Sequence, residues 1–588
     1  MSINNSQPDQ FLVYLPHRLL FLFIFLFFVL FADYIFFYQE KASLFIFSYD
    51  FLIENLQQPG GFLIYLGKFL STFYCYPLAG SLITTLIIWM IVITASSIMK
   101  SLAGNRHDFI PLLSGAALFY LQTDYQYLSY NNLGILIQLL VFLLTLRFLK
   151  GWLPLILTPV LYFVTGGFTW ILCIMFSLWQ LFHRQGRWWL KIGLLWLLNF
   201  LVIFISKEYL FFQTVPELLL HPFSPEGTGS QTVRLIVVAA VLSLLPALAG
   251  IHKKNPFRKK TREKVSSLSM SAVLIMVLAA IAIFRYDKKT RQYFTVEKLF
   301  FENKYDAVID FNIKNPSTNT LTAYLNNIAL CETGRLNDLL FHFPQTEDGS
   351  TLFLKWEIVG EILRRGCYFY YTVGMINEAH RWAFEYMVMK GLTPEGLIML
   401  IKTELINGNH RIAEIYNNIL KRTLSYRDEA AEFEKLLFND EAIDSHPGLG
   451  QKRQLKVKTD FFSITDDPFI NVERTIAFDS LNRKAFEYKL AYLMLTKDYL
   501  GITGEWRNLG RYGFTRIPAH IEEAGMMIMI LNNTSLPPAG NLRISSDTET
   551  RFNRFLRTFE AFGTDLKAAE PALRQQFGNT FWYWAFYR

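Results

Sequence analysis

Three acidic residues stand where apolar runs give way to loops. Asp50 and Glu54 lie one helical turn apart in Ser48-Tyr49-Asp50-Phe51-Leu52-Ile53-Glu54, and Asp124 lies in Gln122-Thr123-Asp124-Tyr125-Gln126. A carboxylate in such a loop can act as a general base on an acceptor hydroxyl. A second acid can hold a metal or orient the acceptor. Lys207 and Arg234 are cations that could face a phosphate. The plainer reading of Asp50 is a solvated acid capping a short helix. Other catalytic patterns are missing: there is no GxxxxGKS/T phosphate loop, no GxSxG elbow and no HExxH. No Cys/His cluster calls for zinc or haem.

The elements that must position these groups are mostly apolar. Of 588 residues 52% are hydrophobic and 16% aromatic, with 54 Phe, and only 18% are charged. A soluble domain carries about 25% charged residues. The composition excludes a disordered chain, a basic nucleic-acid-binding tail and an ordinary cytosolic enzyme, so no nucleic-acid partner is expected. Residues 1–285 hold 20 basic and 11 acidic residues, so the whole-chain net charge of +8 belongs to this half. Its apolar runs approach the length needed to cross a bilayer, which makes the lipid bilayer the first partner. Nine spans are predicted: 19–37, 77–99, 109–121, 133–148, 153–164, 168–182, 188–205, 235–251 and 266–284.

Positive residues collect in short cytoplasmic loops. Arg18, Lys100, Arg106, Arg147, Lys150, Arg184, Arg187, Lys191 and the seven cations between Lys253 and Lys264 fall on one side in this scheme. Glu40, Asp50, Glu54, Asp124, Glu208, Glu217 and Glu226 fall on the other. Residues 152–182 would make one helix of roughly 46 Å, too long for a single modest-tilt span. Both ends of that stretch are basic, so it should fold back at Gly166-Gly167. The expected topology is a multi-pass protein of a bacterial inner membrane, N-terminus cytoplasmic and C-terminal domain outside. Cys331 and Cys367 would share that outer domain, either paired or as two separate buried thiols. Asp33 is the lone acid inside the first span.

Between the first two spans, Gln57-Gln58-Pro59-Gly60-Gly61 breaks an amphipathic run that continues through Phe62, Leu66, Lys68, Phe69 and Phe73. Two interfacial helices are predicted. Such a loop resembles the first outer loop of the GT-C glycosyltransferases, which take sugars from polyprenyl-phosphate donors. The resemblance implies Asp50 as the closest counterpart of the catalytic acid, with Glu54 one turn on and Asp124 as a second acid. It also implies Lys207 or Arg234 facing the lipid phosphate, and room for a divalent metal. The paired acids common at the end of that superfamily's first span are absent here.

After Phe284 the composition changes. A helix, a Gly or Asn turn and a second helix recur at Glu302-Asn303-Lys304, Thr333-Gly334-Arg335, Val373-Gly374-Met375 and Asn407-Gly408-Asn409, with spacings of 31, 40 and 34 residues. Residues 286–440 therefore resemble the tetratricopeptide repeat family. The resemblance implies stacked helix pairs whose face binds an envelope protein or a peptide. Residues 441–588 read as a linker followed by helices over 483–496, 517–531, 547–562 and 566–577. The tail Phe581-Trp582-Tyr583-Trp584-Ala585-Phe586-Tyr587 either caps the last helices or touches a membrane interface.

The fold class expected is all-α, a transmembrane domain over 1–285 followed by an outer helical-repeat domain. The whole chain resembles a family of uncharacterised envelope proteins from Bacteroidota, through Gln58-Pro59-Gly60-Gly61-Phe62 and the Tyr76-Pro77 start of the second span. Two functions stay open: a membrane anchor presenting a repeat domain to an envelope partner, and a GT-C-like transferase. Only the second makes the chain an enzyme.

Overall fold

A computed structural model describes residues 14–588 apart from 105–107, 149–151, 185, 212, 224–228, 254–259, 358–359, 460, 480, 533–535 and 564. Arg106, Lys150, Glu226, Lys254, Arg258 and Lys259 of the charge pattern lie outside the described residues. The described chain is helical, with one isolated bridge between Ala539 and Leu542 and no strand among the described residues. It divides into two compact units: Met1–Asp287 with Arg422–Ser425, and Lys288–Lys421 with Tyr426–Arg588.

The first unit contains α1 (Leu15–Phe31), α2 (Tyr34–Ala42), α3 (Tyr49–Leu56), α4 (Gly61–Ser71), α5 (Pro77–Ala103), α6 (Phe109–Gln122) and α7 (Tyr130–Arg147). It continues with α8 (Leu153–Thr165), α9 (Thr169–His183), α10 (Trp188–Tyr209), α11 (Val215–Leu220), α12 (Gly229–Ser243), α13 (Leu245–Lys253) and α14 (Lys260–Arg285). Five helical stretches are long and apolar enough to cross a membrane: Pro77–Ala103, Tyr130–Arg147, Leu153–His183, Trp188–Tyr209 and Ser267–Arg285. The number rises to seven if each bent pair is one span, Leu15–Phe31 with Tyr34–Ala42 at 78° and Ser230–Ser243 with Leu245–Ile251 at 41°. The first expected span is thus broken, and Asp33 sits at the break between α1 and α2. The third is the 14-residue α6, about 21 Å long and shorter than a hydrocarbon core.

Leu153–His183 is interrupted by a 3-10 turn at Gly166–Phe168 and is folded back there. Asn199 of α10 donates to Thr158 Oγ1 at 3.0 Å, and Trp196 of α10 donates to Ser177 Oγ at 3.1 Å. Residues 196 and 199 are about 4.5 Å apart along a helix, whereas 158 and 177 would be about 28 Å apart in a straight one. Only a reversal between α8 and α9 brings both to the same place. Gly166 supplies it with φ +60° and ψ −136°. Each leg is short, 13 residues in α8 and 15 in α9.

The contacts sort the loops of this unit into two ends. His17 bonds Ser96 at 3.3 Å and approaches Asp108 at 4.0 Å, which puts the start of α1, the end of α5 and the start of α6 together. Gly250 packs against Phe182 at that same end. At the other end Phe31 meets Tyr286, Gly134 meets Phe168, and Arg285 meets Thr123.

The second unit begins with α15 (Lys288–Phe301), α16 (Tyr305–Lys314), α17 (Thr320–Glu332), α18 (Leu336–Leu339), α19 (Gly360–Thr372), α20 (Ile376–Lys390), α21 (Pro394–Asn407), α22 (His410–Lys421) and α23 (Arg427–Glu434). The four expected turns fall between helices. Each is closed by a residue of positive φ: Asn303 at 55°, Gly334 at 70°, Gly374 at 83° and Gly408 at 79°. Such a residue ends one helix and redirects the chain into the next.

The remainder is α24 (Asp440–Ser445), α25 (Leu449–Leu455), α26 (Pro468–Phe478), α27 (Arg483–Leu495), α28 (Tyr499–Trp506), α29 (Ala519–Asn532), α30 (Ser546–Glu560), α31 (Leu566–Phe577) and α32 (Phe581–Tyr587). The expected boundary at 440 does not separate two bodies. Asn337 donates to the Glu487 carbonyl at 3.1 Å, and Arg516 grips Asp338 at 2.9 Å, so the late helices pack on the early ones. The polar stretch after His446 was expected to be a linker, but it holds α25, because Arg453 caps the carbonyls of Leu405 and Ile406 and draws the segment onto α21. The aromatic tail is core. Phe581 and Trp582 are fully buried, and Trp582 packs on Phe552 and Phe555. All four cysteines are free thiols, so Cys331 and Cys367 are not paired.

Candidate functional site

The first outer loop folds as two short helices. Ser48 caps α3 by accepting from the Phe51 N–H at 3.2 Å, and Asp50 lies in the first turn, where a negative charge suits the helix dipole. Phe51 is the buried residue of α3 and packs on Phe45 and Tyr65. Lys68 of α4 reaches Asn55 at 3.2 Å and lies over the Phe51 ring at 5.2 Å. Asp50 and Glu54 both point to the exposed side and make no hydrogen bond or ion pair among the described residues. Both acids are exposed, and the cap of α3 is Ser48 rather than Asp50.

Glycines lock this loop to two others. Gly60, at φ +74°, donates its N–H to the Phe163 carbonyl at 3.1 Å, and a Cβ there would lie 2.9 Å from the Gly166 nitrogen. A Cβ on Gly166 would lie 2.3 Å from the His221 carbonyl oxygen. Gly167 donates to that oxygen at 2.7 Å, and His221 Nδ1 donates to the Pro59 carbonyl at 2.8 Å. The backbone approach requires glycine at both places.

Asp124 is placed differently. One carboxylate oxygen accepts from the Gln126 N–H at 3.1 Å and the other from Arg285 at 3.2 Å. Arg285 also donates to Thr123 Oγ1 at 2.9 Å, and Thr123 donates to the Tyr120 carbonyl at 2.6 Å. The Tyr120 ring carries two guanidinium groups, Arg285 at 5.1 Å and Arg234 at 5.7 Å. Of the five residues singled out from sequence, the structure therefore brings together Asp124 and Arg234. Asp50 and Glu54 stay on α3, and Lys207 pairs with its exposed neighbour Glu208 at 3.4 Å. The sequence missed Arg285 and Tyr120. An arginine that ends the last apolar run was the available signal. Among the described residues no group of three or more His, Cys, Asp or Glu side chains is placed to hold a metal ion.

In the second unit a cavity of about 290 Å³ opens at the α19–α20 turn. Gly374, Asn377, Glu378 and Arg381 form one side, Lys456 and Phe461 the other. Gly374 is required, since a Cβ would lie 2.1 Å from the Leu455 carbonyl oxygen, and its own carbonyl accepts from the Val457 N–H at 3.2 Å. Glu378 is held by Arg381 at 3.0 Å and by Trp382 Nε1 at 3.0 Å, and Arg381 lies 4.4 Å over Trp356. That fixes one wall. Lys456 has no ion pair among the described residues.

Elsewhere in this unit ionisable groups are consumed in structure. Glu332 joins Lys452 at 2.5 Å and also Lys484. Burial pushes the Lys452 ammonium down to about 8, with Glu332 pulling the other way. Burial also raises the Cys331 thiol, so it is no ready nucleophile. His520 bonds Glu523 at 2.9 Å and accepts from the Phe341 N–H at 3.3 Å, which leaves the ring no free nitrogen for catalysis.

A family model described as a family of unknown function, DUF6057, matches residues 11–588. No curated protein matches, and no solved structure matches.

Proposed function

The chain belongs to the DUF6057 family, and we propose that it is a multi-pass inner-membrane protein whose second unit binds a polypeptide partner on the outer side. The observation that carries this reading is the cavity at the α19–α20 turn. At about 290 Å³ it lies at the small end of ligand sites, the size for one or two side chains of a docked segment. Its Glu378–Arg381–Trp356 wall, together with Lys456, which has no ion pair among the described residues, suits an acidic side chain on that partner. The left-handed turns that pair helices at 303, 334, 374 and 408 support a tetratricopeptide-like arrangement of the unit.

The membrane half of the proposal keeps nine spans, which become seven crossings where α8 and α9 form a re-entrant hairpin. Its support is the agreement between contacts and charge: Arg18, Lys100 and Arg184 lie toward the His17–Ser96 end, Asp124 and Glu217 toward the Gly60–His221 end. An envelope role follows from that placement. The polyprenyl-phosphate transferase has less support, because Asp124 is paired with Arg285 and Asp50 lies apart from it on α3.

A photo-crosslinking residue at Asn377 tests the binding site in cells. A discrete cross-linked species is expected, lost on Lys456→Glu, and absent when the probe sits at Leu500 on an exposed surface. Equal labelling from both positions removes the site. Reporter fusions after residues 255 and 303 should read cytoplasmic and extracytoplasmic. The same answer at both points removes the last span.

A further inference from the structure

We infer that Arg234, with Arg285 and Tyr120, binds the phosphate of an anionic lipid head group. The inference rests on the first unit lying in a bilayer. Two guanidinium groups on one ring are a like-charge pair, and Asp124 matches only Arg285. Arg234 has no ion pair among the described residues and is exposed. Its planar fork of donors fits phosphate oxygens, and Arg285, already oriented by Thr123 and Asp124, presents a second fork on the same ring.

The surroundings select the source of the phosphate. Val233, Val237 and Val241 are exposed on α12 beside Arg234, and Ile283 and Phe284 are exposed beside Arg285. A free phosphate in water would gain nothing from these side chains. A lipid places its phosphate on the guanidinium and its acyl chains along the valines. A cation near the end of an apolar helix is costly in hydrocarbon and favourable at the head-group level. The site lies at the end of the bundle that holds Arg285 and the α6–α7 turn, where the interface is expected.

The test uses the full chain in mild detergent, read by native mass spectrometry with phosphatidylglycerol or phosphatidylcholine added. The wild-type chain should retain one phosphatidylglycerol. Arg234→Gln should weaken its affinity about tenfold and leave phosphatidylcholine unchanged, with Arg234→Lys intermediate. Arg234 is exposed and lies over the Tyr120 ring, and an unchanged melting temperature of Arg234→Gln checks that the fold is kept. Unchanged phosphatidylglycerol affinity in Arg234→Gln overturns the proposal. Displacement of the lipid by millimolar inorganic phosphate overturns the lipid assignment in favour of free phosphate. Release of the chain from membranes by alkaline carbonate is a separate outcome that sinks the membrane reading, and this site with it.

Discussion

The interiors of the two units are held by different polar chemistry. In the first unit the buried groups between helices are neutral. Tyr74 donates to Ser129 at 2.8 Å, Gln39 to the Tyr127 carbonyl at 2.8 Å, Asn132 to Gln122 at 2.9 Å and Gln138 to Thr165 at 2.7 Å. Buried charges there, His17 with Asp108 and Glu40 with Lys41, come at the helix ends. In the second unit whole ionic clusters are buried. Glu297 of α15 meets Arg364 at 3.0 Å and Arg365 at 2.6 Å on α19, and Arg364 reaches Glu395 of α21 at 2.8 Å. Amide and hydroxyl bonds join helices without a charge to desolvate, which is what the proposed membrane placement of this unit requires. Paired charges fix the stacking of successive helix pairs in the second unit.

Breaking one ion cluster should cost most. Glu297→Ala leaves Arg364 and Arg365 short of a counter-charge in the core, and removal of one partner of a buried pair costs about 3–5 kcal/mol. Urea unfolding followed by hydrogen exchange in α15 and α19 would measure it. A loss below 1 kcal/mol would mean the cluster is solvated.

The next effect is a pH dependence. Burial presses the Lys452 ammonium down to about 8 in the folded chain, below the usual lysine value of 10.5, against the pull of Glu332. Across that window the unfolded chain binds more protons, so stability should rise with pH by about 1.4 kcal/mol per unit. The difference between wild type and Lys452→Met isolates this contribution. A difference that stays flat from pH 7.5 to 9.5 removes it.

The smallest effect belongs to the first unit. Gln138→Leu deletes one interhelical bond to Thr165, and such bonds average about 0.6 kcal/mol in a membrane protein. A loss as large as that of Glu297→Ala would erase the contrast between the units. Retention of fold in detergent, followed by thermal unfolding, supplies the number.

Features written in local signals were legible. Matching basic flanks around 152–182 predicted the reversal that Gly166 makes, and Gly or Asn marked four left-handed turns. Two further turns of that kind carry Phe438 and Lys497, each at φ 57°, and neither residue type gives warning of it. The 78° break after α1 falls at Ala32-Asp33, without a proline or glycine to announce it. The Asp124–Arg285 pair was out of reach for another reason. Its members are 161 residues apart, and only the packing of α14 against α6 brings them together. Asp50 looked chemical because it stood in a loop between apolar runs, whereas its neighbours turn it toward solvent.

The lock made by Gly60, Gly166 and His221 also dictates an order of assembly. A ribosome delivers residue 60 long before residue 221, so the first loop must wait while several further helices are made. Until the chain reaches His221 and Pro222, the carbonyl of Pro59 has no imidazole to accept from, and the N–H of Gly167 has no acceptor. Closure is therefore a late event in biogenesis. Any fragment that stops short of α11 leaves the amphipathic arm without its clasp.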